Sequence, residues 1–289
     1  MLRCGMSICC LTLLATLCPA QKDVATTGTP RGALMLIGGG ANRPAFIRRF
    51  VQLAGGSGAN IVEIPTAQEE ARINSEGLES FRKRATELFG VSEVTVLHTR
   101  DRKIADSAAF VEPLRHATGV WILGGNDEYL VDAYGGTRTE QEIKALVMRG
   151  GVLGGTSAGA NIQGVALVNA RIVDALDGAK NKAVKIEGER AAFNLLTNAI
   201  PFPHWHRSPD AFALIPAMMA TQHGRLGIGI DEATAAVVQG DRLEVLGDGN
   251  VGIYDGKQHE GQPYFLLSPG QSYNLKKRTL TTDDHPKPD

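Results

Sequence analysis

The residues best suited to chemistry lie in Gly155-Thr156-Ser157-Ala158-Gly159, a G-x-S-x-G pattern inside GGTSAGA at 154–160. An apolar run, Gly151–Leu153, precedes the pattern, and a helix is expected after it. A serine on a sharp strand-to-helix turn presents its hydroxyl at the strand end, and small neighbours let the backbone turn. The N–H groups that open the following helix point toward the same place and favour negative charge. Nucleophilic attack on a carbonyl is the chemistry such a serine can perform. The plainer alternative is a glycine-rich turn whose serine only caps a helix. Pattern and context together favour the catalytic reading.

Serine needs a base to remove its proton, and the base needs an acid to orient it. The chain has seven histidines. His98 and His116 precede the serine in strand-edge and helix contexts, and His285 lies in a polar tail. Pro201-Phe202-Pro203-His204-Trp205-His206 is different, because prolines and aromatics make a rigid, non-helical mount for an imidazole. Either His204 or His206 could serve. Asp231-Glu232 follows the apolar Ile228-Gly229-Ile230 and so falls at a strand end, where one of the two can point inward. The Ala158 amide and the Gly124-Gly125 turn are candidates for binding an oxyanion. His204 and His206 have neither cysteine partners nor an HExxH context, so no metal site is expected.

The elements that must position these groups alternate along the chain. Strands are expected at Ala33–Ile37, Ile61–Ile64, Val94–Leu97 and Val120–Leu123, and helices at Pro44–Leu53, Glu76–Phe89, Ala108–His116 and Thr139–Met148. Such alternation implies an α/β fold: a doubly wound, mostly parallel sheet between two helix layers. Ligands of these sheets sit at the carboxyl ends of the strands. The glycine clusters 38–40, 124–125 and 154–155 fall at those ends and should meet in one crevice. Beyond residue 230 the pattern changes to short β segments at Thr234–Val238, Arg242–Leu246 and Val251–Tyr254, read as an antiparallel extension. Gly38-Gly39-Gly40 does not have dinucleotide-binding spacing, and Glu63 comes one residue too early to end the next strand as that motif requires.

Bulk properties narrow the function. With 43% hydrophobic and 21% charged residues and a net charge of −1, the chain has no footprint for nucleic acid or an acidic membrane surface. Arg3, the apolar stretch Met6–Leu17 and Cys18-Pro19-Ala20 read as a signal peptide, residues 1–20, cleaved after Ala20, with an uncleaved anchor or a lipoprotein through Cys18 as the alternatives. Export to the periplasm or medium is therefore expected, without stable membrane insertion. Residues 21–31 read as a linker, 32–278 as one domain and 279–289 as a disordered tail. All four cysteines lie in the first 18 residues, so the remainder holds no disulfide and no cysteine nucleophile.

Four blocks, LMLIGGG (34–40), WILGGND (121–127), GGTSAGA (154–160) and LGIGIDEATA (226–235), resemble the cyanophycinase and dipeptidase-E family of serine peptidases. The resemblance spans roughly residues 32–275. It implies a three-layer α/β/α fold like that of class I glutamine amidotransferases, a peptide substrate, no cofactor and a homodimer. By position it implies Ser157 as nucleophile, His204 (before Trp205) as base with His206 second, and Glu232 as acid with Asp231 as fallback. It also implies Gly125 and Ala158 as oxyanion donors, and Gly124, Asn126, Thr156, Trp205 and His206 as substrate contacts. The family carries an acidic residue where this chain has Phe202, and arginines at Ser208, Asp210 and Ala213. Its Asp-Gln stands at Asn126-Asp127. Those residues grip a β-linked Asp–Arg polymer, and their absence weighs against that polymer as substrate. Two other readings share the serine. One is an α/β-hydrolase esterase using Ser157, Asp231 and His259; the other is an inactive binding protein on the same fold.

Overall fold

The computed structural model describes residues 29–174, 182–207 and 211–281. The expected signal peptide, residues 21–28 of the linker, and Ser208 and Asp210 lie outside the described residues.

Nine strands form the main sheet, in the spatial order Thr279–Thr281, Ser272–Asn274, Arg242–Gly247, Thr234–Gly240, Thr29–Ile37, Val152–Thr156, Gly119–Ile122, Ile61–Ile64 and Val94–Val96. From Thr29–Ile37 to Val94–Val96 every pairing is parallel; toward the other edge every pairing is antiparallel. Ile61–Ile64 and Gly119–Ile122 are buried at every position, as strands covered on both faces must be. Successive side chains go to opposite faces. Leu34, Leu36, Val62, Ile64, Val120, Ile122 and Leu153 join one core cluster with Val111, Leu114, Ile143 and Leu146 of helices Ala108–His116 and Arg138–Met148. Met35, Ile37, Ile61, Trp121 and Val152 join a second with Phe46 and Phe50 of helix Pro44–Leu53 and Phe81 and Phe89 of helix Ser75–Phe89. Two cores on two faces make the three-layer α/β/α arrangement.

Local signals set the helix ends. Pro44 occupies the first turn of its helix, where a missing N–H costs nothing. The Asn74 side chain accepts a hydrogen bond from Gly77 N at 2.8 Å, and Gly90 ends that helix in the left-handed conformation, φ 65°.

A second sheet of four strands runs Phe265–Leu267, Val251–Tyr254, Leu226–Ile230, Ala199–Pro203, the last two parallel. It is joined to the main sheet through the turn after Ile37. There His204 N donates to Gly38 O at 3.1 Å, and Ala233 N donates to Gly39 O at 3.0 Å. A paired ribbon, Ala166–Asp174 with Lys182–Ala191, and the helix Ala211–Ala220 complete the described elements of this half.

The antiparallel strands expected after residue 230 are present, and they divide between the two sheets. Thr234–Gly240 pairs directly with the central Thr29–Ile37 strand, whereas Val251–Tyr254 enters the second sheet beside Leu226–Ile230. Thr29–Arg31, read as linker, begins the central strand, with Thr29 opposite Gly240. Thr279–Thr281, read as tail, forms the edge strand against Ser272–Asn274. At Thr279–Thr281 β-branched threonine suits an exposed edge strand, and a polar segment can still pair. The Ala166–Ala191 ribbon and helices Asp127–Tyr134 and Ala211–Ala220 were not expected. AFALIPAMMA is apolar all round, so it shows no helical stripe.

Candidate active site

Ser157 follows the strand Val152–Thr156 and precedes the helical turn Ala158–Asn161, with φ 53° and ψ −117°. This is a sparsely populated conformation for a residue with a Cβ, held because the surroundings fix it. Ser157 N donates to Ile37 O at 3.0 Å. The glycines around it are required by space. A Cβ on Gly155 would stand 2.2 Å from Gly159 O, and one on Gly159 would stand 2.3 Å from Ile122 O. Strand and helical turn therefore pack backbone to backbone.

His204 follows the last residue of the strand Ala199–Pro203, also at positive φ, 58°. Its Nε2 lies 2.9 Å from Ser157 Oγ, and its Nδ1 lies 2.5 Å from Glu232 Oε1. A carboxylate can only accept, so Nδ1 carries the proton and Nε2 offers its lone pair to the serine hydroxyl. Histidine and carboxylate arrive together because Pro203 and Ile230 are register partners. His204 is one residue past the first, and Glu232 two past the second. Gly39 makes room for the acid, since a Cβ there would lie 1.8 Å from Glu232 Oε2.

His206 forms a separate pair. Its Nδ1 bonds to Asp231 Oδ1, and Asp231 Oδ2 accepts from Asn250 N at 2.9 Å. Asp231 is buried and Glu232 is exposed, so the two acids of the Asp-Glu block serve different histidines. The esterase set does not assemble: His259 Nε2 sits 2.9 Å from Asp255 Oδ1, and Asp231 is held by His206.

The Gly124-Gly125 turn lies against the serine, since a Cβ on Gly124 would be 3.0 Å from Ser157 Cβ. Gly125 has φ 140°, and a Cβ there would meet Ala67 O at 2.0 Å. Asn126 N donates to that same oxygen at 2.8 Å, and Gln68 Nε2 donates to Gly124 O. Among the described residues the Gly125 and Ala158 amides donate to no protein acceptor.

Of the expected substrate contacts, Gly124 and Thr156 line a cavity of about 580 Å³ that also reaches His204, Gly39 and Gly40. Gly154 and Gly155 do not reach it; they are buried inside their strand, and that cluster meets the cavity only through Thr156. Trp205 cannot touch a substrate. It is 1% exposed, wedged against Gly229 and Gly252, and its Nε1 donates to Tyr254 Oη at 2.8 Å. Asn126 spends its Oδ1 capping helix Asp127–Tyr134 through Glu128 N. His206 is exposed beside Trp205, with ring centroids 3.9 Å apart, and does not line the cavity.

Sequence reading missed Glu63, a fully buried carboxyl whose two oxygens have no hydrogen-bond partner among the described residues. Burial pushes its pKa up to about 7, against the opposing pull of Arg84 at 3.5 Å. The available signal was an acid inside the otherwise apolar strand IVEI.

A serine on a strand-to-helix elbow, with a histidine and a carboxylate in line, on a three-layer α/β/α sheet is the layout of a serine hydrolase. Comparison with known proteins defines which one. The family model of peptidase family S51 matches residues 34–246. A cyanophycinase of Geminocystis herdmanii is 30% identical over 78% of this chain and 82% of its own. A cyanophycinase of Nostoc sp. is 29% identical over 91% and 92%. The crystal structure of a peptidase from an acI-B1 actinobacterium superposes with a TM-score of 0.65 at 27% identity, covering 84% of this chain and 97% of that one. A putative peptidase E from Listeria monocytogenes shares the fold, with a TM-score of 0.51 at 20% identity over 75% and 99%. The chain belongs to peptidase family S51 and is a cyanophycinase-like, serine-type peptidase.

Proposed function

We propose that this peptidase is exported and hydrolyses a peptide or isopeptide bond through an acyl-enzyme on Ser157, with His204 as base and Glu232 as the acid that orients it. The observation carrying this reading is the continuous chain from Glu232 Oε1 to His204 Nδ1 at 2.5 Å and from His204 Nε2 to Ser157 Oγ at 2.9 Å. Ser157 Oγ attacks the scissile carbonyl as its proton passes to His204 Nε2. The carbonyl oxygen becomes an oxyanion bound by the Gly125 and Ala158 amides, each worth about 3–4 kcal/mol in the transition state. Collapse of the intermediate breaks the C–N bond, and the imidazolium returns its proton to the leaving amine. Water then repeats the sequence on the acyl ester and frees Ser157. Glu232 stays ionised and stabilises the imidazolium.

Labelling with a serine-reactive fluorophosphonate tests this reading. Adduct on Ser157, absent in Ser157→Ala and His204→Ala, is expected; adduct that persists in His204→Ala would remove His204 as base. Export is supported by the apolar stretch Met6–Leu17 and the small residues at 18 and 20. Sequencing the N-terminus of the secreted protein is expected to begin at Gln21.

A further inference from the structure

The Gly124-Gly125 turn is held from behind by the loop that follows strand Ile61–Ile64. Gln68 Nε2 donates to Gly124 O, and Asn126 N donates to Ala67 O at 2.8 Å, so the loop grips the turn on both sides of Gly125. Gly124 C=O and Gly125 N–H belong to one planar peptide, and in a trans peptide they point in opposite directions. Fixing the carbonyl on Gln68 therefore fixes the direction of the amide that is to meet the oxyanion. With glycine on both sides of that peptide, the backbone itself offers few steric barriers to turning the plane.

The loop is clamped in its turn. Arg100 Nη2 donates to Gln68 O at 2.5 Å and to Thr66 O at 3.3 Å, and its Nη1 pairs with Glu70 at 2.6 Å. The guanidinium lies over the Tyr129 ring, 3.9 Å from its centre. Thr66 Oγ1 bonds Tyr134 Oη at 2.6 Å. Tyr129 and Tyr134 belong to the helix Asp127–Tyr134, which starts directly after the turn. The contacts thus close a ring: turn, helix, Arg100, loop and turn again. A donor aimed at developing charge is effective in proportion to how well it is fixed before the reaction begins.

We infer that Gln68, braced by Arg100, is a positioning residue for catalysis: it locks the Gly124–Gly125 peptide with its N–H toward the scissile carbonyl. The inference rests on the peptidase reading above and deepens it. Gln68 lines the cavity beside Ser157 and Arg100 does not, so Arg100 acts only through the loop.

Steady-state kinetics of the full chain on a cleavable peptide test the lock. Gln68→Glu keeps the size of the side chain but turns only acceptors toward Gly124 O, and Gln68→Met keeps its length without a donor. Both are expected to lower kcat about 10- to 100-fold, somewhat less than outright loss of an oxyanion donor, with KM changed by less than about threefold. Arg100→Met is expected to lower kcat in the same way, and Arg100→Lys to recover part of the loss. Combined with Gln68→Met, Arg100→Met is expected to add less than its own single effect, because both act on one peptide plane. A kcat within about twofold of wild type in both Gln68 variants overturns the inference. So does a rise in KM with kcat retained, which would make Gln68 a substrate contact, and full additivity overturns the role of Arg100. A second arm needs no turnover: hydrogen–deuterium exchange of Ser157→Ala with and without Gln68→Met. Exchange of the Asn126 amide is expected to quicken about tenfold or more while the melting temperature stays within a few degrees, and unchanged exchange overturns the lock. Fluorophosphonate labelling separates the two readings. A wild-type chain that leaves Ser157 unlabelled sinks the acyl-enzyme mechanism, whereas exchange in the turn reports on Gln68 alone.

Discussion

Gly39 and Glu232 occupy mutually exclusive space: a Cβ at position 39 would lie 1.8 Å from Glu232 Oε2. The atom it would strike ends a flexible side chain that is nearly half exposed, so the fold can absorb the change by moving Glu232. Moving Glu232 breaks its contact with His204 Nδ1. Gly39→Ala is therefore expected to keep its melting temperature within a few degrees while kcat falls on the order of 100-fold or more, as expected when a base loses its orienting acid. Thermal melting and steady-state kinetics on the same preparation check this, and an active Gly39→Ala would show that Glu232 does not orient the base.

Two histidines separated by one residue are expected to behave differently. His204→Ala removes the imidazole that contacts Ser157 Oγ, and activity is expected to fall by about three orders of magnitude or more. His206→Ala leaves the serine's partner in place while it unpairs Asp231 and removes the ring stacked on Trp205, so kcat/KM is expected to change by less than about tenfold, with a loss of stability near about 1–3 kcal/mol. Equal losses of activity would place His206 in the chemistry.

The backbone at Ser157 stores strain that glycine would not feel. Ser157→Ala and Ser157→Gly are both expected to be inactive. The glycine variant is expected to be more stable than the alanine one by about 1–2 kcal/mol, reflecting φ 53° and ψ −117°. Urea unfolding of the two variants measures the difference directly; a less stable glycine variant would contradict stored strain.

Glu63 predicts a pH dependence of stability. Its pKa is about 7 in the fold and about 4.5 in an unfolded chain, so between those values the folded state binds more protons. Stability is then greatest below pH 4.5 on this account and declines as pH rises toward 7, by roughly 3 kcal/mol when complete. Glu63→Gln removes the titration. The stability of the wild type relative to Glu63→Gln is therefore expected to fall between pH 5 and pH 8, measured by urea unfolding at each pH. A constant difference would show that the Glu63 carboxyl titrates normally.

Trp205 is fixed by two glycines, because a Cβ at Gly252 would stand 2.3 Å from its ring and one at Gly229 would stand 2.7 Å away. Gly252→Ala is expected to destabilise by about 1–3 kcal/mol through overpacking and to lower kcat through the adjoining His204. A variant as stable and active as the wild type would mean that the ring moves freely.

The parallel half of the fold was legible because its strands are continuous apolar runs and its helices carry apolar stripes. Pro44–Leu53 and Ala108–His116 were read to the residue. The serine elbow was legible because Gly155 and Gly159 meet backbone atoms that leave no room for a Cβ. Whether His204 or His206 faces the serine was not, since that depends on which way each leaves the end of the Ala199–Pro203 strand. The role of Trp205 was misread for a related reason: an aromatic beside a histidine looks the same in sequence whether it meets a substrate or fills a core. Thr279–Thr281 escaped notice because edge pairing needs no apolar pattern. The bracing of Gln68 by Arg100 was illegible, because only the fold brings the loop after Ile61–Ile64 and the segment after Val94–Val96 together behind the Gly124-Gly125 turn.

The seam between the two sheets has a mechanical consequence. Histidine and acid hang from adjacent strands of the smaller sheet, while the serine and the Gly124-Gly125 turn belong to the larger one. The His204–Glu232 contact is thus internal to one piece, and the His204–Ser157 contact spans a joint fastened at Gly38 and Gly39. A sub-ångström slip along that joint would uncouple the proton acceptor from the nucleophile while both sheets stayed intact. The enzyme would then idle as a folded protein with its clutch disengaged.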